Sequence, residues 1–94
     1  MQIDYSILPD HMQGAMQRYI ENGIPPGSFL TAVLGNDLMG ALGRADDINL
    51  NALPAYGRFL YNRAPRWCFG SPERVRAWIN GGGLKGGADT EEDA

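Results

Sequence analysis

Proline and glycine decide how far any regular element of this chain can run. Together they account for 19 of 94 residues, and they cluster as stops: Pro9, Gly23 with Pro25-Pro26-Gly27, Pro65, Pro72 and Gly81-Gly82-Gly83. Proline lacks the N–H that a helix interior needs, and the residue before it is pushed out of helical geometry. Between these stops, apolar residues recur at three- and four-residue spacing, and nothing alternates with the period of a strand. The expected fold is all-α: a compact four-helix domain over residues 1–80. An extended N-terminal arm precedes the helices, and a flexible, Gly-rich acidic tail follows at 81–94.

Residues 1–8 have no helical period and read as the arm, with Tyr5, Ile7 and Leu8 able to pack on the body. Pro9 suits a helix start, and Asp10 complements the helix dipole. Met12, Met16, Tyr19 and Ile20 then form one stripe, with Gly23 as the stop, which gives a helix over 9–22. Ser28 and the face Leu30, Val33, Leu34, Leu38, Ala41 and Leu42 predict a second helix over 28–43. Its other side lines up Ala32, Asn36, Gly40 and Gly43 as a flat face for close helix contact. Asp46 or Asp47 caps a third helix reaching Asn62. Either that helix kinks at Pro54, or residues 46–50 form a separate turn and Asn51 caps the main helix. Ser71-Pro72-Glu73 signals the fourth helix, which stops at Asn80-Gly81.

The net charge of −3 is unevenly laid out. Residues 1–56 carry a net of −4 and residues 81–94 a net of −3. Residues 57–80 carry +4, from Arg58, Arg63, Arg66, Arg74 and Arg76 against Glu73. Arginine suits bidentate contacts with phosphate or carboxylate, and it stacks on rings. Those five also suit pairing with the acidic half or with another subunit. Double-stranded DNA is a poor partner for a body that is neutral overall, with a tail that repels phosphate and no helix-turn-helix spacing. No apolar run approaches the ~18 residues of a membrane span, and no signal peptide is read at the N-terminus.

Catalytic and cofactor patterns are weak. His11 is the single histidine and Cys68 the single cysteine, so there is no disulfide framework and no metal-ligand spacing. Neither a phosphate-binding loop nor a dinucleotide fingerprint occurs. The expectation is a binding protein, not an enzyme, with no metal and no cofactor. Its most informative stretch is 56–78, where Tyr56, Phe59, Tyr61, Trp67, Phe69 and Trp78 interleave with the arginines. Tyr56, Phe59 and Trp78 fit core positions, whereas Trp67 sits beside arginine in a loop. The candidate ligand residues are Arg63, Arg66, Trp67, Ser71 and Arg74. An anion is expected at the start of the fourth helix, with Trp67 stacking on a base. Asn36, Asp37 and Arg44 are candidates for the opposite wall.

The string Ile24-Pro-Pro-Gly-Ser-Phe-Leu-Thr-Ala-Val-Leu-Gly-Asn-Asp-Leu38, with Arg44-Ala-Asp46, Asn49, Tyr61-Asn62, Pro65, Gly70-Ser71-Pro-Glu73 and Trp78, resembles a group of small proteins encoded by tailed phages and prophages of proteobacteria. The resemblance spans about residues 9–80, departs from the group's pattern at Pro54, and carries over no functional residue. It implies a phage product acting in the host bacterial cytoplasm. Two functions are then expected as alternatives. One is capture of a small anionic ligand, such as a nucleotide signal of an antiphage defence. The other is a module that binds and inhibits or redirects a host protein. A homo-oligomer is expected in either case, because so short a chain buries a thin core.

Overall fold

A computed structural model of the chain describes residues 3–88. The regular elements among the described residues are all helical, with six α-helices: α1 Asp10–Asn22, α2 Ser28–Leu34, α3 Leu38–Arg44, α4 Asp47–Asn51, α5 Leu53–Asn62 and α6 Pro72–Asn80. A single 3-10 turn, Arg66–Cys68, lies between α5 and α6. The all-α expectation holds, while the count of four helices is corrected to six.

Both extra breaks have local causes. The helix expected over 28–43 ends at Leu34, because Gly35 is a weak helix former and Asn36 takes a left-handed conformation at φ 64°. Asp37 then caps α3, its carboxylate accepting the Gly40 N–H at 2.9 Å. With the helix broken, the flat face expected from Ala32, Asn36, Gly40 and Gly43 does not form. Ala32 is buried in the core, and Gly40 lies beneath the Asp37 and Arg44 side chains. At Pro54 the separate-turn alternative is the one observed. Pro54 sits in the first turn of α5, where its missing N–H has no helical partner to lose, and Ala52, not Asn51, occupies the cap position.

Helix α4 is a single turn held from both sides. Asp46 accepts the Asn49 N–H at 2.7 Å, and the buried Asn49 side chain accepts the Tyr56 hydroxyl at 2.7 Å. The Asn49 N–H holds the Asp46 carboxyl below its ordinary value of 3.8, with the nearby His11 ring (3.3 Å) helping. A lowered folded-state value means that this stability is present above the ordinary value and is lost as pH falls through the folded one. Asp46→Asn keeps a capping oxygen. Its melting temperature should therefore change little near neutral pH and fall less steeply than wild type on acidification toward about pH 3. Calorimetry of both proteins at the two pH values checks this; equal drops would exclude the cap from acid unfolding.

The core gathers Met16, Tyr19 and Ile20 of α1, Leu30 and Leu34 of α2, Tyr56 and Phe59 of α5, and Trp78 of α6, all nearly inaccessible to solvent. The arm packs as expected through Tyr5, whose ring lies 5.4 Å from that of Phe59, and through Leu8, while Ile7 stays exposed.

The tail differs from its expectation. Residues 81–88 are a series of turns docked on the C-terminal end of α1. There the Leu84 and Lys85 N–H groups donate to the Ile20 and Glu21 carbonyls, each at 2.9 Å. These are carbonyls that a helix end leaves without intrahelical partners, which is why a polar backbone segment settles there. The rest of the expected tail, 89–94, lies outside the described residues.

Candidate functional site

The connector between α5 and α6 is pinned at three points. Cys68 is fully buried, and its carbonyl accepts the Tyr19 hydroxyl at 2.6 Å. Burial raises the Tyr19 hydroxyl far above the ordinary tyrosine range, so it remains a protonated structural donor. The Gly70 N–H then donates to the Leu34 carbonyl at 2.8 Å, which fixes the end of α2 beside the start of α6.

That pinning sets Arg66, Trp67 and Arg74 around one ring. The Arg74 guanidinium carbon lies 4.8 Å from the Trp67 ring centroid and that of Arg66 lies 5.7 Å away. Arg74 also donates to the Phe69 carbonyl at 3.3 Å. Neither guanidinium pairs with a carboxylate among the described residues. The Trp67 indole N–H is buried and has no hydrogen-bond partner. A ring face attracts cations through its quadrupole, which favours guanidinium groups beside the ring.

Two of the expected roles change in this geometry. Trp67 is a platform for guanidinium groups, so its ring is not freely available to stack on a base. The start of α6 also offers fewer donors than expected. Pro72 has no N–H, and the Arg74 N–H is taken by the Ser71 hydroxyl oxygen at 3.1 Å. Ser71 is a helix cap, and the positive charge here belongs to the arginines.

The other candidates lie elsewhere. Arg63 reaches the Asp4 carboxylate at 3.8 Å on the surface. Arg44 folds back on its own helix, donating to the Gly40 carbonyl at 3.2 Å. Asn36 and Asp37 do lie next to the connector, as walls of a separate groove of about 680 Å³ between α2–α3 and α5, which also reaches Phe69 and Gly70.

This groove was not picked out in the sequence. Its walls are mainly apolar, with Arg58 and Asp37 as the charges. A usable signal was present: Pro54, Gly57, Arg58 and Tyr61 share one face of α5 at helical spacing. Of the residues lining it, Leu38 is 64% exposed and Tyr61 88%.

Among the described residues no group of three or more His, Cys, Asp or Glu side chains is placed to hold a metal ion, and no helix is long and apolar enough to cross a membrane. The chain matches no known family profile, no curated protein and no solved structure.

Proposed function

We propose that this protein is a non-catalytic binding protein that captures a small anionic ligand at the Arg66–Trp67–Arg74 cluster. In the phage setting suggested by the sequence resemblance, the ligand is a nucleotide signal of an antiphage defence, sequestered in the host cytoplasm. One observation carries the reading: two guanidinium groups converge on one ring, and among the described residues no carboxylate pairs with either. Arg63 and Arg76, by contrast, lie near the Asp4 and Glu73 carboxylates at 3.8 and 3.9 Å. The larger groove is a weaker place for an anion, because Asp37 stands in its wall.

The test begins with native mass spectrometry of protein purified from infected, defence-active cells, which reports any retained small molecule. Calorimetric titration with that molecule follows. Charge-assisted hydrogen bonds are typically worth about 1.5–3 kcal/mol, so Arg66→Ala and Arg74→Ala should each weaken binding roughly ten- to a hundredfold. Arg18→Ala, on the exposed side of α1, should leave affinity unchanged. Equal affinities for all four proteins would remove the cluster as the site. A chain that retains no small molecule and instead recovers a host protein would favour the host-binding alternative.

A further inference from the structure

We propose that the groove between α2–α3 and α5 is the interface of a two-fold dimer, filled by a second copy of this chain. The groove asks to be covered. Leu38 and Tyr61 line it while more than half exposed, and α3 has only seven residues, so it depends on packing to hold as a helix. Its floor is open as well: a Cβ added at Gly57 would meet nothing within 4 Å. A glycine inside a helix costs roughly 1 kcal/mol relative to alanine, and nothing among the described residues packs on Gly57 to offset that cost.

The charges choose the occupant. Asp37 stands on the α3 wall and Arg58 on the α5 wall. Arg58 has no hydrogen bond or ion pair among the described residues, and the Asp37 carboxylate accepts only the Gly40 N–H. In a two-fold interface, residue i meets residue j and j meets i. Laying the α5 wall of one copy on the α3 wall of another therefore forms the Arg58–Asp37 pair twice, inside an apolar surround. A second copy carries this complement by construction, whereas an unrelated partner has to match both signs independently. The interface uses none of Arg66, Trp67 and Arg74, so it stands or falls separately from the ligand site.

The experiment is mass measurement by light scattering and sedimentation of the full chain across the micromolar range, without added ligand. Wild type should show twice the chain mass. Gly57→Gln adds a long neutral side chain to the groove floor and improves helix propensity. It should keep the helical circular-dichroism spectrum while weakening dimerisation by at least a hundredfold. Arg58→Glu and Asp37→Arg should each be monomeric through like-charge repulsion, and an equimolar mixture of the two should recover the dimer mass. Circular dichroism reports whether Asp37→Arg, which loses the α3 cap, is still folded; if it is not, Gly57→Gln and Arg58→Glu decide. A monomeric wild type, a Gly57→Gln dimer as tight as wild type, or folded charge variants that fail to re-form the dimer on mixing would each overturn the proposal. So would a monomer whose groove takes up a bacterial protein instead.

Discussion

Trp78→Ala is expected to remove about 3–5 kcal/mol of stability, a large part of what a small domain holds. Trp78 is only 1% exposed, so truncation leaves a cavity where α1 and α6 meet. Its indole N–H also donates to the Tyr19 and Ile20 carbonyls at 3.1 Å each, tying α6 to the end of α1 across 59 and 58 residues of sequence. Trp78→Phe separates packing from hydrogen bonding. The two carbonyls keep their other donors, the Gly23 and Leu84 N–H groups, so the phenylalanine variant should lose only about 1–2 kcal/mol. Urea unfolding of the three proteins gives both differences. Trp67→Ala is the contrast: its ring is only partly buried, and its larger effect should be on ligand affinity. A Trp78→Ala midpoint equal to wild type would show that α6 does not hold α1.

Gly83→Ala should be nearly as damaging, for a reason of shape. Gly83 is buried with φ 69°, a conformation that L side chains rarely adopt. An added Cβ would lie 2.5 Å from the Gly23 nitrogen and 2.7 Å from that of Asn22. Those obstacles are backbone atoms of a helix end, which cannot swing away as a side chain can. Strain and overpacking of this kind cost roughly 2–4 kcal/mol, unless undocking residues 81–88 is cheaper. Undocking therefore sets the ceiling, and truncation after Asn80 measures it. Truncation removes two hydrogen bonds to the end of α1, the burial of Gly83 and most of the contact made by Leu84. We expect a loss of about 2–3 kcal/mol, or on the order of 10–20 °C in melting temperature. Truncation after Ala88 is the control that isolates the docked turns. Scanning calorimetry would reject the docking if the Asn80 truncation melted within a degree or two of wild type.

How much of this was legible beforehand differs element by element. The ends of α1 and the start of α6 were readable because their determinants are local. Gly23 at φ 71° needs only its own missing Cβ, and Ser71 caps a nitrogen three residues away. The break at Gly35-Asn36-Asp37 was equally local, a weak helix former, a residue that tolerates the left-handed region and an N-cap in a row. It was overridden by the apolar stripe running on from Leu34 to Leu38, because periodicity counts side chains and is blind to a change of backbone direction. The arginine–tryptophan region was legible as composition, but not as a stack. Whether Trp67 offers its face to a base or to Arg74 depends on where the Cys68 and Gly70 anchors hold the loop.

The sequence by itself determined the all-helical class, the ends of α1, the start of α6 and the concentration of positive charge after residue 57, because each depends on neighbours within a turn or on composition alone. Tertiary structure decided the rest. It made Gly81–Ala88 part of the folded body, since two glycine backbones sixty residues apart fit against each other and supply partners for the free carbonyls of α1. It also opened the groove beside α5, since only the turn at Asn36 swings α3 away from the line of α2. Contacts between segments far apart in the chain have no local signature: their free energy comes from surfaces that exist only once the helices are packed.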